Sequence, residues 1–235
     1  MKGAQSTNVG TILMIALAVA IGTMGSASSA EAAAFKGKYT ELKNLPSTHE
    51  RGKVKLTEFA DFYCPHCHTF EQSGIPVLEQ EFGDKLDVIM VGFPVIPGKL
   101  PMAFEMYEQA KSMGKGPDMK KALFRMIHKD HIHVFDQTLR EMMVKEVGLD
   151  PVAFEAGLAG GKPSKMLEEG RAFGMKVDVR QTPTVLLDGN LKVESIDPEN
   201  IKTIIASILD ADKAANTAAT GKSGGQSKRE QKSPR

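Results

Sequence analysis

The sequence predicts an α/β domain whose sheet is interrupted by a long helical segment. Residues 53–63 alternate apolar and polar side chains, which is typical of a strand. Residues 100–177 instead repeat apolar side chains at helical spacing, and residues 184–195 return to two short strands before a final amphipathic helix. A chain of 235 residues is long enough to bury a substantial core of this kind.

The first half of the chain predicts strand, helix, strand. Residues 38–42 indicate a short edge strand, and in residues 53–63 the acidic Glu58 falls on the same face as the apolar side chains. Pro65 is suited to the first position of a helix, which Pro76 should kink. Residues 86–93 are rich in apolar and β-branched side chains, which favours a buried strand.

The second half predicts helices followed by a hairpin and a last helix. Apolar sets within residues 100–177 are separated by glycine and proline, as in a small bundle of helices. The turn at residues 188–190 joins two short strands into a hairpin. Asp197 is placed to cap the final helix with Pro198 at its first position. Its buried stripe is expected to comprise Ile201, Ile204, Ile205 and Ile208.

The two ends of the chain differ from this domain in composition. Lys2, an apolar run at residues 12–21 and small residues up to Ala34 describe an export signal, with cleavage after Ala30, Ala32 or Ala34 left open. An uncleaved anchor is less favoured, because the apolar run is shorter than the ~20 residues that a bilayer crossing needs. From residue 214 onward the chain lacks apolar periodicity, which predicts a disordered basic tail.

These observations divide the chain into five parts. They are an export signal (1–34), the first part of the α/β domain (35–99), an inserted helical domain (100–177), the second part of the α/β domain (178–213) and the basic tail (214–235).

Charge and cysteine content limit the kinds of function that the sequence favours. The 30 basic and 29 acidic residues nearly balance, so the sequence favours neither nucleic acid nor an anionic membrane surface as a partner. The chain has two cysteines, Cys64 and Cys67, which are too close together to staple a fold. We therefore expect the pair to serve local chemistry in an oxidising compartment, with no cofactor and no metal.

The cysteine pair stands between a predicted strand and a predicted helix. This order places Cys64 at the exposed helix N-terminus, where free N–H groups and the helix dipole stabilise a thiolate. Cys67 falls one turn into the helix and should be shielded. Cys64 is thus predicted to attack a substrate disulfide, and Cys67 to resolve the mixed disulfide.

Two neighbours are expected to tune this pair. A protonated His66 would add positive charge that favours the Cys64 thiolate. Glu58, if buried behind the cysteines, would have a raised pKa and could accept or return the proton of Cys67.

At these residues the chain resembles the DsbA family of bacterial disulfide-bond oxidoreductases. The resemblance rests on Cys64-Pro65-His66-Cys67, on residues 59–63 before it, on Phe70-Glu71 after it and on the long helical insertion. It covers residues 35–210. It implies a thioredoxin fold with an inserted helical domain, and a cis-proline loop opposite the cysteines, matched here by residues 181–184.

The resemblance also implies roles and partners. Pro183 would be the cis proline, and the backbone of Thr182 would pair with client peptide beside the disulfide. Pro65 and His66 would belong to the catalytic motif. The expected partners are reduced or unfolded exported proteins and a membrane, quinone-linked reoxidase of the DsbB kind. The expected location is the periplasm, and the expected direction is oxidation of client thiols.

Other functions fit parts of the sequence. Cys64-x-x-Cys67-His68 also spells a c-type haem attachment motif, with thirteen methionines to supply an axial ligand. The redox dithiol is favoured because a haem site requires neither Glu58 nor the Thr182-Pro183 loop. His68 is then expected to be a surface residue, and His128, His131 and His133 solvated polar residues rather than metal ligands.

Two further alternatives keep the fold but change the activity. A peptide-holding chaperone with an incidental dithiol would retain its activity when both cysteines are replaced by serine. An isomerase of this class usually carries a separate dimerisation domain, and residues 35–52 are too short to form one.

Overall fold

The computed structural model describes residues 35–99 and 101–223, so the predicted export signal and residues 224–235 lie outside the described residues. Within the described ranges, five strands form one mixed sheet in the order β1-β5-β4-β2-β3. β2 runs parallel to β3 and antiparallel to β4, while β5 is antiparallel to both β4 and β1. The strands are β1 (Tyr39–Glu41), β2 (Val54–Ala60), β3 (Leu86–Gly92), β4 (Thr184–Leu187) and β5 (Leu191–Val193).

β2 lies in the interior of the sheet and carries the predicted acidic residue into the core. Glu58 is opposite Met90 on β3 and Val185 on β4, with no solvent-exposed surface. The prediction of an edge strand at residues 38–42 is confirmed by β1. The prediction of a buried strand at residues 86–93 is wrong in part, because β3 lies at the opposite edge and several of its side chains are only half-buried.

The helix that follows the cysteines is interrupted. Pro65 opens α1 (Pro65–Thr69), a π turn spans Phe70–Gly74, and α2 covers Ile75–Phe82. The interruption predicted at Pro76 is observed as this π turn, because proline lacks the N–H that would continue the regular helical hydrogen bonds. Gly74 is required here, because a Cβ at this position would lie 2.3 Å from the ring of Phe70.

Within residues 101–177, the described part of the inserted segment, the chain forms five helices. They are α3 (Met102–Ser112), α4 (Gly116–His128), α5 (Gln137–Glu146), α6 (Pro151–Ala159) and α7 (Lys162–Lys176). The insertion packs against the turn before the cysteines through aromatic rings. The ring of Phe62 lies 5.3 Å from that of Phe104 and 5.0 Å from that of Phe124, between centroids. This cluster joins the helical insertion to the turn that carries Cys64.

The last helix is longer than the sequence predicts. α8 (Pro198–Ser223) begins at the predicted proline, and the four predicted isoleucines are buried. The prediction of disorder from residue 214 is wrong for residues 214–223, which continue the helix. Residues 214–219 include four alanines, the residue of highest helix propensity, and Arg51 donates a hydrogen bond to Asn216. No helix within residues 35–99 or 101–223 is long and apolar enough to cross a membrane.

At the end of the sheet far from the cysteines, one histidine ties three segments together. His49 Nδ1 lies 2.8 Å from Asp188 Oδ2 in the hairpin turn, and its Nε2 lies 3.0 Å from Asp212 Oδ1 on α8. Asp188 also accepts a hydrogen bond from the backbone N–H of Lys55 on β2. The final helix is thereby fastened to the sheet.

Candidate active site

Cys64 occupies the position just before α1, at the end of a tight turn. Its backbone is extended, and its N–H donates to the carbonyl of Asp61 at 3.1 Å. The thiol donates to the carbonyl oxygen of Thr182 at 3.4 Å. The prediction of an exposed Cys64 is wrong, because the loop around Pro183 covers it and leaves the residue only 5% exposed.

Cys67 lies one turn further into α1 and is fully buried. Its sulfur accepts a hydrogen bond from the backbone N–H of Asp61 at 3.5 Å. Burial raises the pKa of the Cys67 thiol well above its ordinary range, and the hydrogen bond from the Asp61 N–H opposes this only in part. Both cysteines are free thiols in this structure. The predicted shielding of the second cysteine is therefore observed.

Glu58 is buried behind the cysteines. Among the described residues, neither of its carboxylate oxygens has a hydrogen-bond partner. Burial, and then the nearby carboxylate of Glu71, raise the pKa of Glu58 from 4.5 to about 8, while Lys120 opposes the shift. The side chain is therefore mostly protonated at neutral pH and holds a proton that it can release.

A second acidic group links this interior to the helical insertion. Glu71, in the π turn, forms an ion pair with Lys120 of α4 at 2.8 Å, and both side chains are nearly buried. Burial raises the pKa of Glu71, and Lys120 acts against that rise. The insertion thus contributes a charge close to the buried acid.

The loop opposite the cysteines has the predicted cis bond between Thr182 and Pro183. It borders a groove of about 820 Å³. His66 is exposed and lines this groove, together with Arg180 and Ile196. A peptide lying in the groove would pass beside the sulfur of Cys64, because the carbonyl of Thr182 contacts that sulfur.

The structure changes the interpretation of two other histidines. His68 is half-buried rather than a surface residue, and its ring stacks on that of His128 at 4.5 Å between centroids. Burial, and then the nearby His128 and Lys129, lower the pKa of His68. Burial also lowers the pKa of His128, and its contact with the Phe62 carbonyl opposes that shift. The Nε2 of His128 lies 2.8 Å from the carbonyl oxygen of Phe62. These rings therefore join α1 to the helical insertion.

His133, the last residue of the sequence group that also contains His128 and His131, makes different contacts. It is exposed beside the ring of Tyr63, whose hydroxyl donates to the His133 carbonyl at 3.3 Å. In the part of the chain that the structure describes, no three His, Cys, Asp or Glu side chains are grouped so that they could hold a metal ion.

Sequence reasoning missed Asp61. The residue is 1% exposed, and its side chain accepts one backbone N–H from the turn before Cys64 and two from the loop after β3. The only signal in the sequence was a carboxylate among apolar and aromatic residues, three positions before the first cysteine. A buried acid at this position must be paired, and its partners come partly from a loop more than thirty residues away.

Comparisons with known proteins agree with this geometry. The family model described as thioredoxin matches residues 49–207, more than half of the chain. The thiol:disulfide interchange protein DsbA of Pseudomonas aeruginosa is 23% identical over 210 residues, which cover 87% of this chain and 97% of the relative. DsbA of Azotobacter vinelandii is 22% identical and covers 88% and 97%.

Solved structures support the fold. The oxidoreductase DsbA from Xylella fastidiosa superposes with a TM-score of 0.62 at 22% identity, covering 75% of this chain and 96% of that chain. The predicted thioredoxin fold with a helical insertion is thereby confirmed. The chain belongs to the thioredoxin family, as a DsbA-like thiol:disulfide oxidoreductase.

Proposed function

We propose that the protein is an oxidase that introduces disulfide bonds into client proteins through Cys64 and Cys67. The observation that carries the proposal is the unequal placement of the two sulfurs. Cys64 Sγ contacts the carbonyl oxygen of Thr182, a residue that lines the groove, whereas Cys67 is fully buried. In the disulfide state a client thiolate can therefore reach Cys64 only.

The exchange then takes two steps. The client thiolate bonds to Cys64 Sγ, and the Cys64–Cys67 bond breaks with its electron pair leaving on Cys67. The protonated carboxyl of Glu58 supplies a proton to that buried thiolate. A second client thiolate attacks the client sulfur of the mixed disulfide and releases Cys64 as thiolate. The client dithiol is oxidised, and the enzyme disulfide is reduced to a dithiol.

Binding of the client is assigned to the groove and to the loop beside it. The peptide would lie next to Thr182 and Pro183, with His66 lining the same groove. The polar backbone of the loop suits many peptide sequences, since hydrogen bonds to main chain do not depend on the side chains of the client.

The proposed location is the periplasm, reached by the signal in residues 1–34. The P. aeruginosa and A. vinelandii relatives are named DsbA, which supports the same setting for this chain. After each cycle the Cys64–Cys67 dithiol must lose two electrons. We assign this step to a membrane, quinone-linked reoxidase of the DsbB kind.

The test is the oxidation of a reduced, unfolded client by the purified disulfide form. We expect one client disulfide to form for each enzyme disulfide consumed. The double variant Cys64→Ser, Cys67→Ser should transfer no disulfide. A parent protein that transfers no disulfide, but suppresses client aggregation as well as the double variant does, would be a holding chaperone, and this result would refute the proposal.

A further inference from the structure

Asp61 is a buried carboxylate with an unusual set of partners. Its Oδ1 accepts the backbone N–H of Tyr63 at 2.8 Å, and its Oδ2 accepts those of Val95 at 2.7 Å and Ile96 at 2.9 Å. The partners belong to two different segments, the turn before the first cysteine and the loop after β3. A single side chain therefore locks the turn to its surroundings.

The backbone of the same residue reaches both cysteines. The Asp61 carbonyl accepts the N–H of Cys64 at 3.1 Å, and the Asp61 N–H points at Cys67 Sγ at 3.5 Å. A thiol sulfur is a weak acceptor, whereas a thiolate accepts a charge-assisted bond. The hydrogen bond from the Asp61 N–H to Cys67 is therefore strongest when Cys67 carries negative charge.

We propose that Asp61 is a positioning residue for disulfide exchange: its carboxylate fixes the turn so that its own N–H stabilises the departing Cys67 thiolate. The proposal rests on the dithiol exchange described above and deepens it. When a thiolate bonds to Cys64 Sγ, the Cys64–Cys67 bond breaks and its electron pair moves to Cys67. The Asp61 N–H then faces that charge until Glu58 delivers a proton.

Only a carboxylate satisfies this arrangement fully. Three N–H donors point at two oxygens that donate nothing in return. Asparagine has nearly the same shape but offers one oxygen and one NH₂ group, so at least one donor would face another donor. Asp61→Asn therefore releases the turn while changing its volume little.

The experiment measures the reduction of the disulfide form by reduced glutathione in Asp61→Asn, the parent and Asp188→Asn. Samples are quenched with acid at successive times and their new thiols counted by alkylation and mass. Asp188 is the matched control, since it is also a buried aspartate that accepts a backbone N–H, but it lies at the far end of the sheet. We expect Asp61→Asn to react about tenfold more slowly, the loss of one charge-assisted hydrogen bond.

We expect Asp188→Asn to react at the parent rate even if its melting temperature falls. Equal slowing in both variants would show that Asp61 acts only on stability and would overturn the proposal. Unchanged or faster exchange in Asp61→Asn would overturn it as well, since removal of the negative charge would then be the dominant effect.

A second measurement does not depend on how Asp61→Asn folds. In the reduced parent, the Asp61 amide proton should be protected from hydrogen exchange by the sulfur of Cys67, and Cys67→Ala should remove that protection. Equal protection in both proteins would contradict the contact. Neither experiment requires a client protein. The role of Asp61 can therefore be tested even if the oxidase assay with a client fails.

Discussion

The buried acid behind the cysteines should make the stability of the protein depend on pH in a calculable way. We consider Glu58→Leu, which removes the carboxyl group at nearly constant volume, and Glu58→Gln, which keeps a polar group but no ionisable one. In the folded chain the pKa of Glu58 is about 8, against 4.5 for a free side chain. The folded protein therefore retains a proton that the unfolded chain gives up.

The sign and size follow from this difference. The stability of the parent relative to either variant is unaffected below pH 4.5 and falls as the pH rises toward about 8, because the unfolded state alone ionises in that window. Each pH unit contributes about 1.4 kcal/mol. At pH 7, which is 2.5 units above 4.5, the carboxyl destabilises the fold by about 3 kcal/mol.

The assay is urea unfolding of the reduced proteins at several pH values between about 5 and 9. As the pH rises, the free energy of unfolding of Glu58→Leu and of Glu58→Gln should increase relative to the parent by the same amount. The increase should level off above pH 8. The free energies of unfolding of the two variants should differ by the same amount at every pH, because the buried glutamine amide has no hydrogen-bond partner. A parent-minus-variant difference that stays flat from pH 5 to pH 8 would refute the reasoning, because Glu58 would then titrate as an exposed acid.

Three further outcomes are expected. Iodoacetamide should label Cys64 before Cys67, as peptide mapping can show, because Cys67 is fully buried and its thiol pKa is raised; equal labelling would contradict the division of roles. The bonds to Asp212 and Asp188 outweigh burial and raise the pKa of His49, so its stabilisation is complete below pH 6.5 and declines as the pH rises through the folded value. Urea unfolding of His49→Gln should therefore show a larger deficit at about pH 5.5 than at about pH 8.5, and an equal deficit would contradict this sign. Purified protein should show no Soret band; a covalent one that survives acid and acetone would instead support a cytochrome.

Local signals explain what the sequence could predict. The strand before Cys64, the proline at the start of α1 and the position of Glu58 are each determined by residues within a few positions. The Thr182-Pro183 loop was found through a family resemblance, since nothing nearby in the chain indicates that it faces the cysteines. The hydrogen bond from Cys64 to Thr182 joins residues 118 positions apart.

Contacts between distant segments explain what the sequence could not predict. The burial of Cys64, the stacking of His68 on His128 and the pairing of Asp61 with residues 95 and 96 all depend on how the helical insertion and the loops pack. The sequence predicts too short a final helix for another reason. Its last turns have no apolar stripe, which is the signal that predicts a helix, whereas their alanine content favours helix through propensity alone.

The central claim is that the Cys64–Cys67 pair donates its disulfide to other proteins. The most direct test traps the thiols in living cells by rapid acid quenching, followed by alkylation and separation of the oxidised and reduced forms. An oxidase is kept in the disulfide form by its reoxidase, so we expect nearly all of the protein to be oxidised. A population held mainly as dithiol would contradict the account and assign the protein a reducing direction.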